Sequence, residues 1–236
     1  MALSSSPKQN RILDVLAMVD YDRLQPDLEL AAITIGEVIY EPDIRITHLY
    51  FPVDCIIARL YELESGASVQ TSLTGNEGMV DISYVLGSER TSARSVALCG
   101  GSAFRIKASL LKKEFERAGD LQRRLLRFAQ ALIIQTEHIS IGNQHQLVEQ
   151  RLCHFLLMIL DRISGNELHI THEQVAIFLG VRRESITTAA QKLETTGAIE
   201  CRRGHMMVNR SKLVGFAGEN YAVLTKEYER LNAYPG

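Results

Sequence analysis

Residues 171–197 decide the fold, and they read THEQVAIFLGVRRESITTAAQKLETTG. Thr171 stands three residues before Gln174, and this spacing predicts a capping box at the start of a helix. Gly180 predicts a left-handed turn that ends this helix, and a second helix follows from about Arg183. Two short helices joined by a tight turn are typical of a helix-turn-helix DNA reader.

The second helix has an apolar face and a polar face. Its apolar positions recur at helical spacing and predict a buried stripe of Ile186, Ala189, Ala190 and Leu193, matched on the first helix by Val175, Ala176 and Leu179. The polar face offers candidate DNA contacts, which are Arg182, Arg183, Glu184, Ser185, Thr187, Thr188 and Gln191. Arginine can donate two hydrogen bonds to guanine and glutamate can accept one from cytosine, so an Arg-Glu start suits a major groove.

Residues 198–209, AIECRRGHMMVN, alternate apolar and polar side chains around Gly204 and predict a β-hairpin, or wing. Arg202, Arg203 and His205 near its tip would lie beside phosphates and hold the register on DNA. Residues 171–212 contain seven Lys and Arg against four Glu, a charge of +3, whereas the whole chain is −2 and the remainder therefore −5. The basic charge is concentrated where DNA binding requires it. An ordinary helical hairpin with a solvated face remains the alternative for the two helices.

From about residue 28 to residue 108 the sequence consists of short β-like runs separated by turns rich in Gly, Pro, Asn and Asp. The runs are 37–40, 47–51, 55–63, 68–73, 79–86, 94–98 and 102–107. Many short strands with frequent turn signals predict an antiparallel barrel or jelly roll, which has an interior pocket.

A short helix is predicted at 108–115 and a long one from about 120 to 144. One apolar row of the long helix is assigned to a dimer interface: Leu125, Phe128, Leu132, Gln135 and Ile139. A neighbouring row provides a second contact surface: Leu126, Ala129, Ile133, Thr136, Ser140 and Asn143. One row would lie on the barrel and the other would meet a second subunit, which would set two recognition helices about 34 Å apart. A core helix covered on both sides within one chain is the alternative. Further amphipathic helices are predicted at 148–163 and 212–231, the latter with Tyr221, Leu224, Tyr228 and Leu231 on one face.

Composition limits the remaining classes. The polar N-terminus does not resemble a signal peptide, and no stretch approaches the ~20 apolar residues of a membrane span, so we expect a cytoplasmic protein. Four isolated cysteines are interpreted as small core residues rather than as a disulfide framework or metal site: Cys55, Cys99, Cys153 and Cys201. His138 and His145 stand one heptad apart and could ligate haem or a metal across a dimer, but solvent-facing histidines are the favoured interpretation and no metal site is predicted.

The order barrel, long helix and winged helix-turn-helix resembles the Crp/Fnr family of bacterial transcription regulators over nearly the full chain. The matching residues are Thr171-His172-Glu173-Gln174-Val175-Ala176 with Gly180, and Arg183-Glu184-Ser185-Ile186. The resemblance implies an α+β chain with a cyclic-nucleotide-binding-like sensor domain and dimerisation helix in 1–146 and a winged helix-turn-helix domain in 147–236. It implies base contacts by Arg183 and Glu184, and backbone contacts by Thr171, Arg182, Ser185, Arg202 and Arg203. It also implies a homodimer with double-stranded DNA, RNA polymerase and a small-molecule effector as partners.

Two departures from the family bear on specificity. Where founding members carry a second arginine on the recognition helix, this chain has Thr188, whose methyl group suits thymine. Members that bind cyclic AMP carry a Gly-Glu pair and, further along, Arg-Ser; the matching positions here are Val80-Asp81 and Thr91-Ser92, with Arg90 and Arg94 nearby. Asp81 could accept from a ribose hydroxyl, and Arg90 or Arg94 could pair with a phosphate. A turn aspartate and solvated surface arginines are the alternative, and they are favoured over an intact cyclic-nucleotide site. The N-terminus lacks the cysteine cluster that holds an iron–sulfur centre in the oxygen-sensing branch, so no such centre is expected.

The sequence thus favours a DNA-binding regulator that is not an enzyme. A ligand-binding module that regulates a protein partner is one alternative, although the basic wing counts against it. A metal-dependent β-barrel enzyme is another, but its site needs two or three histidines with a carboxylate, and the barrel segment contains only His48.

Overall fold

The computed structural model describes residues 5–64, 68–202, 204–218, 221–223 and 225–226. These residues form two compact units, the first from 5–59 and 73–132, the second from 60–64, 68–72 and 133 onward. Within the described part, no helix combines the length and the apolar character needed to cross a membrane.

The first unit is built on short antiparallel strands. They are β1 (Glu29–Ile33), β2 (Val38–Tyr40), β3 (His48–Pro52), β4 (Ile56–Glu62), β5 (Ser68–Thr74), β6 (Arg94–Cys99) and β7 (Gly101–Lys107), of which β4 and β5 extend into the second unit. They form two sheets with strand orders β1-β7-β3 and β2-β6-β4-β5, so the predicted jelly-roll type of fold is confirmed, as two sheets rather than one closed barrel. Leu49 pairs with Ile106 and Phe51 with Phe104, and all four are buried, because alternate residues of a strand face the same side.

The predicted strand at 79–86 is wrong. Asp81 adopts a left-handed conformation with φ 58°, and a 3₁₀ turn follows at Ile82–Tyr84. Met79, Val80 and Val85, which flank this turn, are buried, so the apolar run reflects burial in the core rather than a strand. Strand β1 was not among the runs singled out from the sequence.

Helices α1 (Arg11–Asp14), α2 (Met18–Leu24), α3 (Ala108–Phe115) and α4 (Asp120–His145) accompany the strands, and the predicted bounds of α3 and α4 are confirmed within one residue. The assignment of the Leu125 row of α4 to a dimer interface needs correcting. Leu125 and Phe128 belong to the core of the first unit, and Gln135 is fully buried. Phe128 fits there because Gly78 has no side chain: a Cβ at Gly78 would lie 2.1 Å from the ring.

The rest of that row is half-buried. Leu132 packs against the core of the first unit, and Ile139 lines a small cavity in the second unit. The apolar side chains that α4 leaves exposed lie elsewhere on the helix: Leu126 (47% exposed), Ile133 (59%) and Ile141 (48%). Leu126 and Ile133 belong to the neighbouring row predicted from the sequence.

The second unit continues through α5 (Val148–Leu160), β8 (Glu167–Leu168), α6 (His172–Leu179), α7 (Arg183–Thr195), β9 (Ile199–Arg202), β10 (His205–Val208) and α8 (Arg210–Ala217). The three strands form a sheet in the order β8-β10-β9. Helix α8 starts at the Asn209 cap and ends before Gly218, which has φ 74°, so the continuous helix predicted at 212–231 is wrong in this part. Tyr221 is buried and its hydroxyl lies 3.1 Å from Asp161, whereas Leu224, Tyr228 and Leu231 lie outside the described residues.

All four cysteines are free thiols; Cys55 and Cys153 are buried, and Cys99 and Cys201 are half-buried.

Candidate nucleic-acid interface

Helix α6 begins and ends as its sequence predicts. The Oγ1 atom of Thr171 accepts a hydrogen bond from the Gln174 backbone N–H at 3.2 Å, and Gln174 Oε1 accepts one from the Thr171 N–H at 2.9 Å. Gly180 ends the helix with φ 62° and ψ 39°. A Cβ there would lie 3.1 Å from the Ser68 carbonyl oxygen, so the turn needs glycine for both conformation and space.

Helix α7 divides into the two predicted faces. Ile186, Ala189, Ala190 and Leu193 are buried, and the small alanines allow α6 to pack closely. Arg182, Arg183, Glu184, Thr188 and Gln191 are exposed, while Ser185 and Thr187 are half-buried. On α6, Val175 and Ala176 are buried as predicted; Leu179 is only half-buried, and Phe178 is the buried aromatic, stacked on Phe155 at 5.8 Å.

Two threonines on the polar face of α7 use their hydroxyl groups within the chain. Thr188 is exposed, and its hydroxyl donates to the Glu184 carbonyl at 3.0 Å. The Thr187 hydroxyl donates to the Arg183 carbonyl at 3.1 Å and lies 3.3 Å from Nδ1 of His172. Thr187 therefore ties α6 to α7 in addition to lying on the polar face.

His172 extends this connection to the wing. Its Nε2 lies 3.7 Å from Sγ of Cys201 on β9. Burial raises the Cys201 pKa to about 11, so the thiol keeps its proton at neutral pH and can donate to the ring nitrogen. The Nδ1–H tautomer then donates to Thr187, and the hydrogen bonds run from β9 to the first turn of α7. Sequence patterns do not reveal this link, because its members lie 15 and 29 residues apart.

The wing is the predicted hairpin, with His205 opposite Arg202 and Val208 opposite Ile199. Gly204 has φ 78° in the connecting turn. Arg202 is exposed and its Nη2 lies 2.9 Å from Glu200. Arg203 lies outside the described residues.

A cleft of about 370 Å³ lies where α6, α7 and the wing meet. Its lining includes Thr171, His172, Glu173, Arg183, Arg202 and His205. The fold thus brings a residue predicted to touch bases, Arg183, onto the same concave surface as two predicted to touch the backbone, Thr171 and Arg202. This arrangement suits a nucleic-acid strand with its phosphates along one edge.

Other charged residues of this segment hold the domain together. Lys192 pairs with Glu149 of α5, and this hydrogen bond lowers the pKa of Glu149. Glu194 Oε1 accepts a hydrogen bond from the Cys201 N–H at 2.8 Å, and Lys212 Nζ donates to the Thr196 carbonyl at 2.9 Å. Arg210 pairs with Asp161. Three of the seven basic residues counted in the sequence, Lys192, Arg210 and Lys212, therefore bond within the domain. Arg182, Arg183 and Arg202 are exposed, and Arg202 is paired with Glu200 of its own strand.

The residues proposed for an effector pocket only partly converge. Asp81 has a fully buried side chain that meets Arg59 Nη1 at 3.0 Å, and Arg59 Nη2 donates to Ser92 Oγ at 3.1 Å. Arg59 was missed by sequence reasoning, since its partners lie 22 and 33 residues away. The Oδ2 atom of Asp81 is buried without a hydrogen-bond partner among the described residues.

The other four residues of that set have different environments. Val80 and Thr91 are buried, and the Thr91 hydroxyl donates to the Ala93 carbonyl. Arg90 lies 3.6 Å from Asp43, and Arg94 lies 3.5 Å from Glu41, both acidic residues with exposed side chains. The cation beside Asp81 is therefore Arg59 rather than Arg90 or Arg94.

Residues 150–215 match the family model described as the Crp-like helix-turn-helix domain. A comparison with curated protein sequences finds no match. Solved structures do match: a protein of Eubacterium rectale described as a Crp/Fnr-family transcriptional regulator has a TM-score of 0.70 at 17% identity, covering 89% of this chain and 98% of that one. FixK2 from Bradyrhizobium japonicum has a TM-score of 0.67 at 17% identity, covering 80% and 96%. The c-di-GMP-responsive regulator CLP from Xanthomonas campestris has a TM-score of 0.65 at 13% identity, covering 81% and 99%.

The chain therefore has the fold of the Crp/Fnr transcription regulators, and its residues 150–215 form a Crp-like helix-turn-helix domain. The resemblance predicted from the sequence is confirmed.

Proposed function

We propose that the protein is a Crp/Fnr-type transcription regulator that binds duplex DNA with the exposed face of α7. The observation that carries the proposal is the cleft that joins Arg183 at the start of α7 to Arg202 of the wing. Arg183 and Glu184 read base edges, and the Thr188 methyl group meets a thymine. Thr171, Arg182, Ser185, Arg202 and Arg203 hold the phosphate backbone, and Thr187 and Gln191 complete the DNA-facing set. The proposed regulator acts in the cytoplasm and contacts RNA polymerase at promoters.

The proposed active form is a homodimer held by the exposed apolar face of α4. Leu126, Ile133 and Ile141 recur at seven- and eight-residue steps and are about half exposed. A helix rises about 1.5 Å per residue, so these three side chains span about 22 Å along it. The same face of a second copy would bury all of them in a two-fold symmetric interface.

A small effector is proposed to act through Asp81 and Arg59. The buried, unpaired Oδ2 atom of Asp81 can accept a hydrogen bond from a ligand hydroxyl or amide. Arg59 supplies the positive charge that an anionic group requires. An effector that binds one arrangement of the dimer more tightly would shift a pre-existing equilibrium between DNA-binding geometries.

Two other functions have less support. A module that regulates a protein partner would also use the fold, but it does not account for the arginines gathered around the cleft. A metal-dependent barrel enzyme would need histidines inside the barrel, whereas His48 lies half-buried at the start of β3 beside Thr47.

Fluorescence anisotropy with labelled duplex DNA, measured over a range of salt concentrations, tests DNA binding. Wild type should bind with an affinity that falls steeply with salt, because phosphate contacts release counterions. Arg202→Ala should weaken binding to every sequence and reduce the salt slope by about 1, as expected for one lost phosphate contact. The matched control is Arg105→Ala, which removes a half-buried arginine of β7 paired with Glu29 and should bind as wild type does. Equal salt slopes for wild type and Arg202→Ala would remove Arg202 from the interface.

A further inference from the structure

The outer face of the wing sheet carries two histidines and a glutamate in contact. Glu167, His169 and His205 each offer one ligand atom, and these atoms all lie within 4.8 Å of one another. His205 Nδ1 is 2.9 Å from Glu167 Oε1, and the two imidazole rings have centroids 4.4 Å apart. Glu167 and His169 are exposed and His205 is half-buried.

Strand register explains why they meet. Met206 pairs with Leu168 and Met207 with Glu167, so His205 lies opposite His169. Leu168 and Met206 are buried on the inner face, and side chains alternate along a strand. The neighbours of these two apolar residues must therefore point together toward solvent.

We propose that Glu167, His169 and His205 bind a divalent transition-metal ion of the zinc class. Imidazole nitrogen and carboxylate oxygen are zinc ligands, and two histidines with one glutamate leave a fourth position for water. Bonds of about 2.1 Å place tetrahedral ligand atoms about 3.4 Å apart, so small rotations of exposed side chains bring these three into range. Arg202 lies across from His205 but is paired with Glu200, which offsets its charge.

A bound ion would join β8 to the hairpin. Strand β8 comprises Glu167 and Leu168 and lies at the edge of its sheet, next to β10. An ion shared by Glu167, His169 and His205 would clamp the two strands directly opposite Arg202. Only an effect of the ion on DNA binding through Arg202 would rest on the proposed function; metal binding itself does not.

Calorimetric titration of the full-length, chelator-treated protein with Zn²⁺ alone tests the site. Wild type should bind one ion per chain, and His169→Ala and His205→Ala should each weaken binding at least tenfold. His145→Ala, which removes an exposed histidine at the end of α4, should bind as wild type does. Cobalt in place of zinc should give the absorption of a nitrogen- and oxygen-ligated tetrahedral ion, unchanged in Cys201→Ser. Circular dichroism of the metal-free variants checks that each is folded.

Binding that is equal in wild type and in the double variant His169→Ala/His205→Ala would overturn the proposal. So would binding lost only in Cys201→Ser, because Cys201 lies on the inner face near His172. If the protein binds DNA but not zinc, the metal-site proposal is wrong and the proposed DNA-binding function stands. If it binds zinc but not DNA, the metal site stands and the proposed DNA-binding function is wrong.

Discussion

His154 of α5 is a buried, neutral imidazole, and protonating it would destabilise the folded state. It is 5% exposed, its Nε2 has no partner among the described residues, and burial lowers its pKa to about 4. It lines a cavity of about 30 Å³ together with Gln70, Gln146 and Arg151, which also place unpaired polar atoms in buried positions. A cavity of this size and polarity can hold a water molecule.

Stability should therefore fall in mild acid. An unfolded histidine titrates near pH 6.5, so between about pH 6.5 and pH 4 the unfolded chain binds more protons than the folded one. This linkage should remove about 2 kcal/mol of the free energy of unfolding between pH 7 and pH 5. Urea denaturation at the two pH values measures it.

The comparison that isolates His154 uses His154→Gln, which should lose that part of the pH dependence, and His145→Gln, which should retain it. An identical fall in stability for wild type and His154→Gln would show that other groups are responsible.

At the scale of elements, the requirement for glycine in the turn between α6 and α7 can be tested. Gly180→Ala places a Cβ at φ 62° and 3.1 Å from the Ser68 carbonyl, and should lower the free energy of unfolding by about 1 to 2 kcal/mol. Gly215→Ala is the matched control, because Gly215 lies within α8 and has open space around its Cβ position. It should raise stability by about 0.5 to 1 kcal/mol, since alanine is the better helix former. Thermal or chemical denaturation of both variants measures these changes. Equal changes in the free energy of unfolding for the two variants would contradict the role given to the turn.

At this scale, elements with strong local signals were predictable from the sequence. The Thr171–Gln174 capping box and Gly180 specify the bounds of α6 from neighbouring residues alone, and Gly204 does the same for the wing. The strand predicted at 79–86 is wrong because the apolar residues there are buried by the tertiary fold. Asp81 also adopts a left-handed conformation, which the local sequence does not predict.

The candidate sites show the same limit. The exposed face of α7 follows from helical spacing, so its residues could be named in advance. Arg59 beside Asp81, His172 beside Thr187 and His169 beside His205 come together only through folding and were missed. Periodicity revealed two apolar rows on α4, but which one faces the core depends on Gly78 leaving room for Phe128.

For the whole molecule, the proposed dimer requires the exposed apolar face of α4 to form the interface between subunits. Ile133→Arg puts a charge at the most exposed of its apolar positions, 59% exposed, and should weaken the dimer at least about a hundredfold because two isoleucines lose their burial. Sedimentation velocity over a range of concentrations measures this. Val19→Arg, at a 67% exposed position of α2, is the control and should leave the dimer intact. An Ile133→Arg protein that sediments as wild type does would place the interface elsewhere.

Selection of bound duplexes from a random DNA pool tests the central claim, that α7 reads DNA sequence. Wild type should enrich a two-fold symmetric site with half-site centres about 10 base pairs apart, and Arg183→Ala should enrich a site that has lost its preference at one base pair of each half-site. Absence of any enriched sequence, or an identical site for wild type and Arg183→Ala, would contradict the account.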